Sequence, residues 1–170
     1  MKASTLRGLV VGATMALGFA VVAPNKAEAQ GMQFGVAASY ADDYDFGVGA
    51  FAKFHLADMS NRAIGGRIGF DYFFPGNDLS AWSLNGDALL NIATNDASMK
   101  PYIGAGIGYR HFSIDNTFCN LAGADCSSND VGLNLLGGLN FGKSKMMPFV
   151  EAKLEVGDGS QFVLKGGFHF

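Results

Sequence analysis

Past its first 29 residues this chain holds no apolar run that could cross a membrane as a helix, which takes about 20 residues. Charge is scarce too. Only 16% of the residues are Asp, Glu, Lys or Arg, and the bases form no stripe of the kind that grips nucleic acid, so no nucleic-acid partner is expected. Cysteine is limited to Cys119 and Cys126, and His55, His111 and His169 are scattered along the chain. Two thiols and scattered imidazoles make a poor zinc site, and neither a metal nor a cofactor is expected. What the chain does have is 24 Gly and 15 Phe among 170 residues, with 49% hydrophobic residues overall. An apolar chain without membrane helices must satisfy its backbone N–H and C=O groups between strands, and a closed barrel does so without leaving an edge.

The first 29 residues read as an export signal. Lys2 and Arg7 give a basic front, Leu9 to Val22 an apolar stretch of 14 residues, and Ala27-Glu28-Ala29 a small-x-small site, so cleavage is expected before Gln30. The stretch is too short, and too interrupted by Gly, for a retained membrane helix. Residues 30–170 are then one domain, carrying 9 basic and 14 acidic side chains.

Within that domain apolar and polar residues alternate with a period of two, eight times over. The expected strands run from Met32 to Tyr40, Asp45 to Leu56, Ile64 to Phe74, Trp82 to Ile92, Lys100 to Ser113, Val131 to Phe141, Val150 to Val156, and through the last eleven residues. In the last of these Phe162, Leu164, Gly166, Phe168 and Phe170 share one face, while Gln161, Lys165 and His169 share the other. The expected fold is all-β: a closed eight-stranded antiparallel up-and-down transmembrane barrel.

A soluble barrel would show the same alternation turned inside out, so the sense of the faces has to be argued. The polar parity collects Gly together with Lys53, Arg67, Arg110, Lys153 and Lys165 against Asp71, Asp87, Glu151 and Glu155. Mixed charges of that kind suit an enclosed, mutually neutralised interior, with Arg67 or Arg110 pairing with Glu151 or Glu155 across it. The apolar parity gathers aromatics near the strand ends, among them Tyr40, Phe46, Phe54, Tyr72, Phe74, Trp82 and Tyr109, as interfacial girdles do. Eight strands enclose room for side chains or one small ligand, too little for so many large apolar groups. The apolar face therefore points to lipid. Links at residues 57–61, 94–98 and 142–145 are short; the alternate set contains the one long loop, 116–129, and so faces outward, which puts both termini in the periplasm.

These segments resemble the small eight-stranded outer-membrane barrels, the family of the outer-membrane protein A transmembrane domain, the Ail/Lom adhesion proteins and the opacity proteins. The likeness is carried by Lys100-Pro-Tyr-Ile-Gly-Ala-Gly-Ile-Gly-Tyr109 and by the close from Pro148-Phe-Val-Glu-Ala-Lys153 to Phe170, and it spans essentially all of residues 30–170. It implies a site in the bacterial outer membrane among lipid and lipopolysaccharide, and assembly by the barrel-assembly machinery, for which Phe168 and Phe170 form the terminal signal. Three of the four outer loops are short, unlike those of several adhesive relatives. That leaves residues 116–129 as the segment through which a host or surface ligand would be met.

Some patterns suggest chemistry. Gly137 to Ser144 matches the phosphate-loop spacing, and Gly104, Gly106 and Gly108 echo a dinucleotide fingerprint, yet neither opens a helix, and small interior residues are the simpler account. Cys119 and Cys126 share the long loop in an oxidising compartment, where a disulfide is expected. His111 and Ser113 lie two apart on the lipid-facing parity, similar to the His-x-Ser pair of outer-membrane lipid A deacylases. That likeness implies a Ser113 nucleophile, a His111 base and Asp115 or Asp130 as orienting acid. The plainer account puts both side chains at headgroup level with no catalysis. The expected function is a plugged, non-enzymatic barrel with a structural or surface-contact role, with the esterase as alternative and a small-ligand-binding barrel third.

Overall fold

In the computed structural model residues 31–59, 62–76, 79–94, 98–114, 127–142 and 145–170 are described, and everything structural below concerns these. Eight strands follow in chain order: β1 Gln33–Ala41, β2 Asp45–Met59, β3 Arg62–Phe73, β4 Leu79–Asn91, β5 Met99–Ile114, β6 Ser127–Phe141, β7 Met147–Val156 and β8 Gln161–His169. Each pairs antiparallel with its neighbour in sequence, and β8 returns to β1, so the sheet is a closed barrel. The seam runs from Gly35 opposite His169 to Ala41 opposite Val163, and Phe34 and Phe170 exchange two backbone hydrogen bonds of 2.9 and 2.8 Å beyond it. No strand edge is left open, which is the condition for a sheet to sit in hydrocarbon.

The pleat sorts the side chains. Facing outward and exposed are Val36, Val48, Ile68, Leu84, Ile107, Leu133, Leu154 and Leu164; facing inward and buried are Arg67, Asp71, Asp87, Arg110, Glu151, Lys153 and Glu155. A protein in water would place these two sets the other way round. Aromatics mark both ends of the outer wall. Tyr40 packs on Phe46 and Tyr72 on Phe74 at one end, with ring centroids 5.3 and 5.2 Å apart, and Phe168 and Phe170 stand exposed at the other.

Several strand ends differ from the alternation: β3, β4 and β7 begin at Arg62, Leu79 and Met147, two or three residues before the expected starts, and β2 and β6 are extended as well. β2 runs on to Met59, three residues past Leu56, because a bulge between His55 and Ala57 resets the register against β3. β6 begins at Ser127, so Ser127 to Asn129 belong to the wall and not to the long loop; they pair with Ser113 to His111 of β5. The export segment, Cys119, Cys126 and Asp115 lie outside the described residues.

The glycines on the inner parity make room. A Cβ at Gly106 would meet the Gly86 carbonyl oxygen at 2.2 Å and the Asp87 carboxylate at 2.5 Å, and one at Gly138 would lie 2.5 Å from the Tyr102 hydroxyl. Large polar side chains can thus cross a narrow bore because their opposite numbers are hydrogen.

Candidate functional site

The bore of the barrel carries most of the chemistry, and it has three levels. At the end beside the 42–44 turn, Ala41, Phe73, Ala81 and Val163 are fully buried, and Tyr44 and Phe112 pack against them. The Tyr44 and Phe112 rings stack at 5.7 Å and Tyr44 meets Phe73 at 5.8 Å, closing that end with apolar groups. Burial pushes the Tyr44 hydroxyl above its ordinary range.

Below this seal lies a polar network. Arg67 is its best-connected member, donating from Nη1 to Glu151 Oε2 at 2.6 Å and from Nη2 to Asp87 Oδ2 at 2.8 Å. The Tyr102 hydroxyl donates to the same Glu151 oxygen at 2.8 Å. Lys165 Nζ donates to Asp71 Oδ2 at 2.5 Å, with Asn85 Nδ2 on that oxygen at 3.1 Å. Lys153 pairs with Glu155 and donates to Asn85 Oδ1 at 3.1 Å. Arg110 pairs with Asp130 and lies 3.7 Å from Glu155. Asp130 at the rim apart, these ions have lost their water, at a cost of several kcal/mol apiece, and the bidentate and shared contacts offset that cost.

Lys53 stands apart. Its ammonium lies 5.3, 5.3 and 5.6 Å from the ring centroids of Phe51, Tyr102 and Phe149, and among the described residues no carboxylate comes within ion-pair distance. Beyond it the bore opens into a cavity of about 580 Å³ at the end where the chain termini lie. Of the nine ions placed on the polar parity by the alternation, eight therefore meet an opposite charge inside the bore and Lys53 meets rings. Sequence reasoning offered Asp130 only as an orienting acid for His111 and missed its place in the bore, as it missed the part played by Asn85, Asn134 and Tyr102. All four stand on the inner parity, which was the available signal.

The outer-wall pair is arranged differently from a catalytic set. His111 stacks against Trp82 at 5.3 Å and its Nδ1 lies 2.7 Å from Asn129 Oδ1 on β6, whereas Ser113 Oγ lies 2.9 Å from Ser80 Oγ on β4. Among the described residues no hydrogen bond joins His111 to Ser113. Asp130 cannot orient His111 either, since Arg110 holds it toward the bore; the side chain set beside the imidazole is an amide.

No family model matches the chain, and no curated protein matches it by sequence. Solved structures do match. The N-terminal β-barrel domain of Pseudomonas aeruginosa OprF superposes with a TM-score of 0.62 at 14% identity, covering 82% of this chain and 96% of that one. Neisserial surface protein A gives 0.61 at 17%, covering 81% and 94%, and the outer membrane enzyme PagL gives 0.52 at 14%, covering 81% and 98%. At such identities the likeness is one of fold: the chain is a small eight-stranded barrel of the outer-membrane type.

Proposed function

We propose that the protein is a non-conducting barrel of the bacterial outer membrane, with a structural and surface-contact role in the cell envelope. The observation that carries this is the bore itself, in which Arg67, Arg110, Lys153 and Lys165 are neutralised by facing acids beneath an apolar seal. Ions cannot pass where fixed charges already satisfy one another and rings close the end. The exposed apolar wall and its aromatic ends suit a hydrocarbon setting, with lipid and lipopolysaccharide around it. In this reading residues 1–29 direct export, the barrel-assembly machinery reads Phe168 and Phe170, the termini face the periplasm, and a disulfide between Cys119 and Cys126 steadies the loop that meets surface ligands. Planar-bilayer recording tests it: the purified barrel gives no steady conductance, and a steady current that grows in Glu151→Ala or Lys153→Ala would sink the reading.

A second reading, an esterase acting on lipid A acyl chains through Ser113 and His111, draws support from one feature. The imidazole is held on the outer wall between Trp82 and Asn129, at the height where lipid headgroups lie. An amide can orient an imidazole but cannot stabilise its positive form as a carboxylate does. Mass spectrometry of lipid A from cells with and without the protein is expected to show no acyl loss; a loss abolished by Ser113→Ala would establish the enzyme instead.

A further inference from the structure

The cavity at the termini end has no part in keeping ions out, and its lining is one-sided in charge. Lys53 and Lys100 both contribute to it, together with His169, Asn140 and Gln33, and among the described residues no Asp or Glu side chain does. His169 is 97% buried. Its Nε2 lies 3.0 Å from Asn140 Oδ1, an acceptor, so Nε2–H donates there, while Nδ1 has no hydrogen-bond partner among the described residues. The imidazole is thus a fixed part of the wall, and the charge that the lining offers an anion comes from Lys53 and Lys100. Apolar groups, Leu89 and Met147 among them, complete the wall. The opposite mouth differs: Asp42, Asp43 and Asp158 stand exposed there beside the apolar seal. An anion is thus drawn to one end of the barrel and repelled at the other.

We propose that this cavity is a binding site for a small organic oxyanion, a phosphate or carboxylate group carried on an apolar body. Lys53, held over its three rings, meets the charged head, with Lys100 at the mouth and His169 on the wall. A volume of about 580 Å³ falls within the usual range for small-molecule sites, roughly 300 to 1,000 Å³. The inference goes beyond the structural role and does not depend on which compartment the mouth faces.

The test is an NMR titration of the isotope-labelled mature chain in detergent micelles, with phenyl phosphate, benzoate and inorganic phosphate as probes. Saturable shifts are expected at Lys53, Lys100, Asn140 and His169 with the two aryl anions, whose relative affinities tell a phosphate from a carboxylate preference. Inorganic phosphate, lacking the ring, binds about tenfold or more weakly. Lys53→Met weakens phenyl phosphate about tenfold, whereas Lys145→Ala, which removes an exposed charge from the same rim but outside the cavity, changes it less than about twofold. If Lys53→Met does not fold, Lys100→Ala serves in its place, with a loss of about threefold. No saturable shift, equal losses in the Lys53 or Lys100 variant and in Lys145→Ala, or equal binding of phenyl and inorganic phosphate would overturn the proposal.

Discussion

At one end of the bore Tyr44, Phe73 and Phe112 close the passage, and just beneath them each base is answered by an acid. At the other end the rings of Phe51, Tyr102 and Phe149 stand around Lys53, no carboxylate among the described residues comes within ion-pair distance of it, and a cavity opens. The same eight strands make both ends, with the same alternation. The difference comes from which residues reach the inner parity at each height: small apolar ones at Ala41, Ala81 and Val163, polar ones at Gln33, Lys53 and Asn140. How tightly the bore is filled is therefore a local property of side chains, packed with rings at one end and open to a cavity at the other.

The comparison breaks first if the middle network is not what holds the closed end together. Arg67→Ala strands Asp87 and Glu151 in the bore without their cation, and the expected loss is about 3 to 5 kcal/mol, the usual cost of removing one member of a buried pair. Urea unfolding in lipid vesicles measures it. A loss below about 1 kcal/mol, as for an exposed pair, would mean that water reaches the network. Phe73→Ala attacks the seal itself. It is expected to cost about 3 kcal/mol, at the low end for a buried Phe because Tyr44 and Phe112 can close over part of the space. Conductance should stay absent, since the ions around Arg110 and Glu155 lie beneath the seal; current through Phe73→Ala would show that the rings alone keep the barrel shut.

Much of this was legible from the chain. Alternation alone separates Ile68, Ile107 and Leu154 from Arg67, Arg110 and Lys153, because a strand with one face in hydrocarbon cannot tolerate a slip of one residue. The cross-bore partners were legible as a set, Arg67 or Arg110 with Glu151 or Glu155, and the structure selects Arg67 with Glu151 and Arg110 with Glu155. Arg67 and Glu151 are 84 residues apart on strands that are not neighbours, and only closure of the sheet brings them across the bore. Ser127, Ser128 and Asn129 looked like loop because they are polar on both parities, so no alternation marks where β6 begins or turns Asp130 toward the bore. The bulge at Leu56 hid the end of β2 for a similar reason: the extra residue shifts the phase, and Ala57 rather than Leu56 stands opposite Ile64. The cavity was not legible at all, since it depends on what Gln33, Lys53, Lys100 and His169 leave unfilled between them.

A subtler test asks whether the bore has spare room halfway along. Gly106 faces Gly86 and Asp87, and the Cβ of any larger residue would fall within 2.2 Å of a backbone carbonyl. Gly106→Val should therefore cost about 2 kcal/mol by forcing the wall apart, in the range for overpacked cores. A neutral result by the same urea assay would place the slack of the inner cavity further up the barrel than Lys53.

The smallest expected effect is the sharpest discriminator. Lys53→Met removes a charge that makes no ion pair among the described residues and leaves an unbranched, polarisable side chain lying over the same three rings. The cation–π attraction lost is worth about 0.5 to 2 kcal/mol for a partly desolvated ammonium, and sulfur–aromatic contact returns a similar amount. Stability in urea should thus change by less than about 1 kcal/mol, in either direction. Arg67→Ala and Lys53→Met each delete one lumen cation, so a loss at Lys53 as large as at Arg67 would reveal a counter-charge at the inner end and erase the contrast between the two ends. A small loss leaves Lys53, unlike Arg67, as a lumen base that folding does not require, and a base that folding does not require is free to serve a ligand.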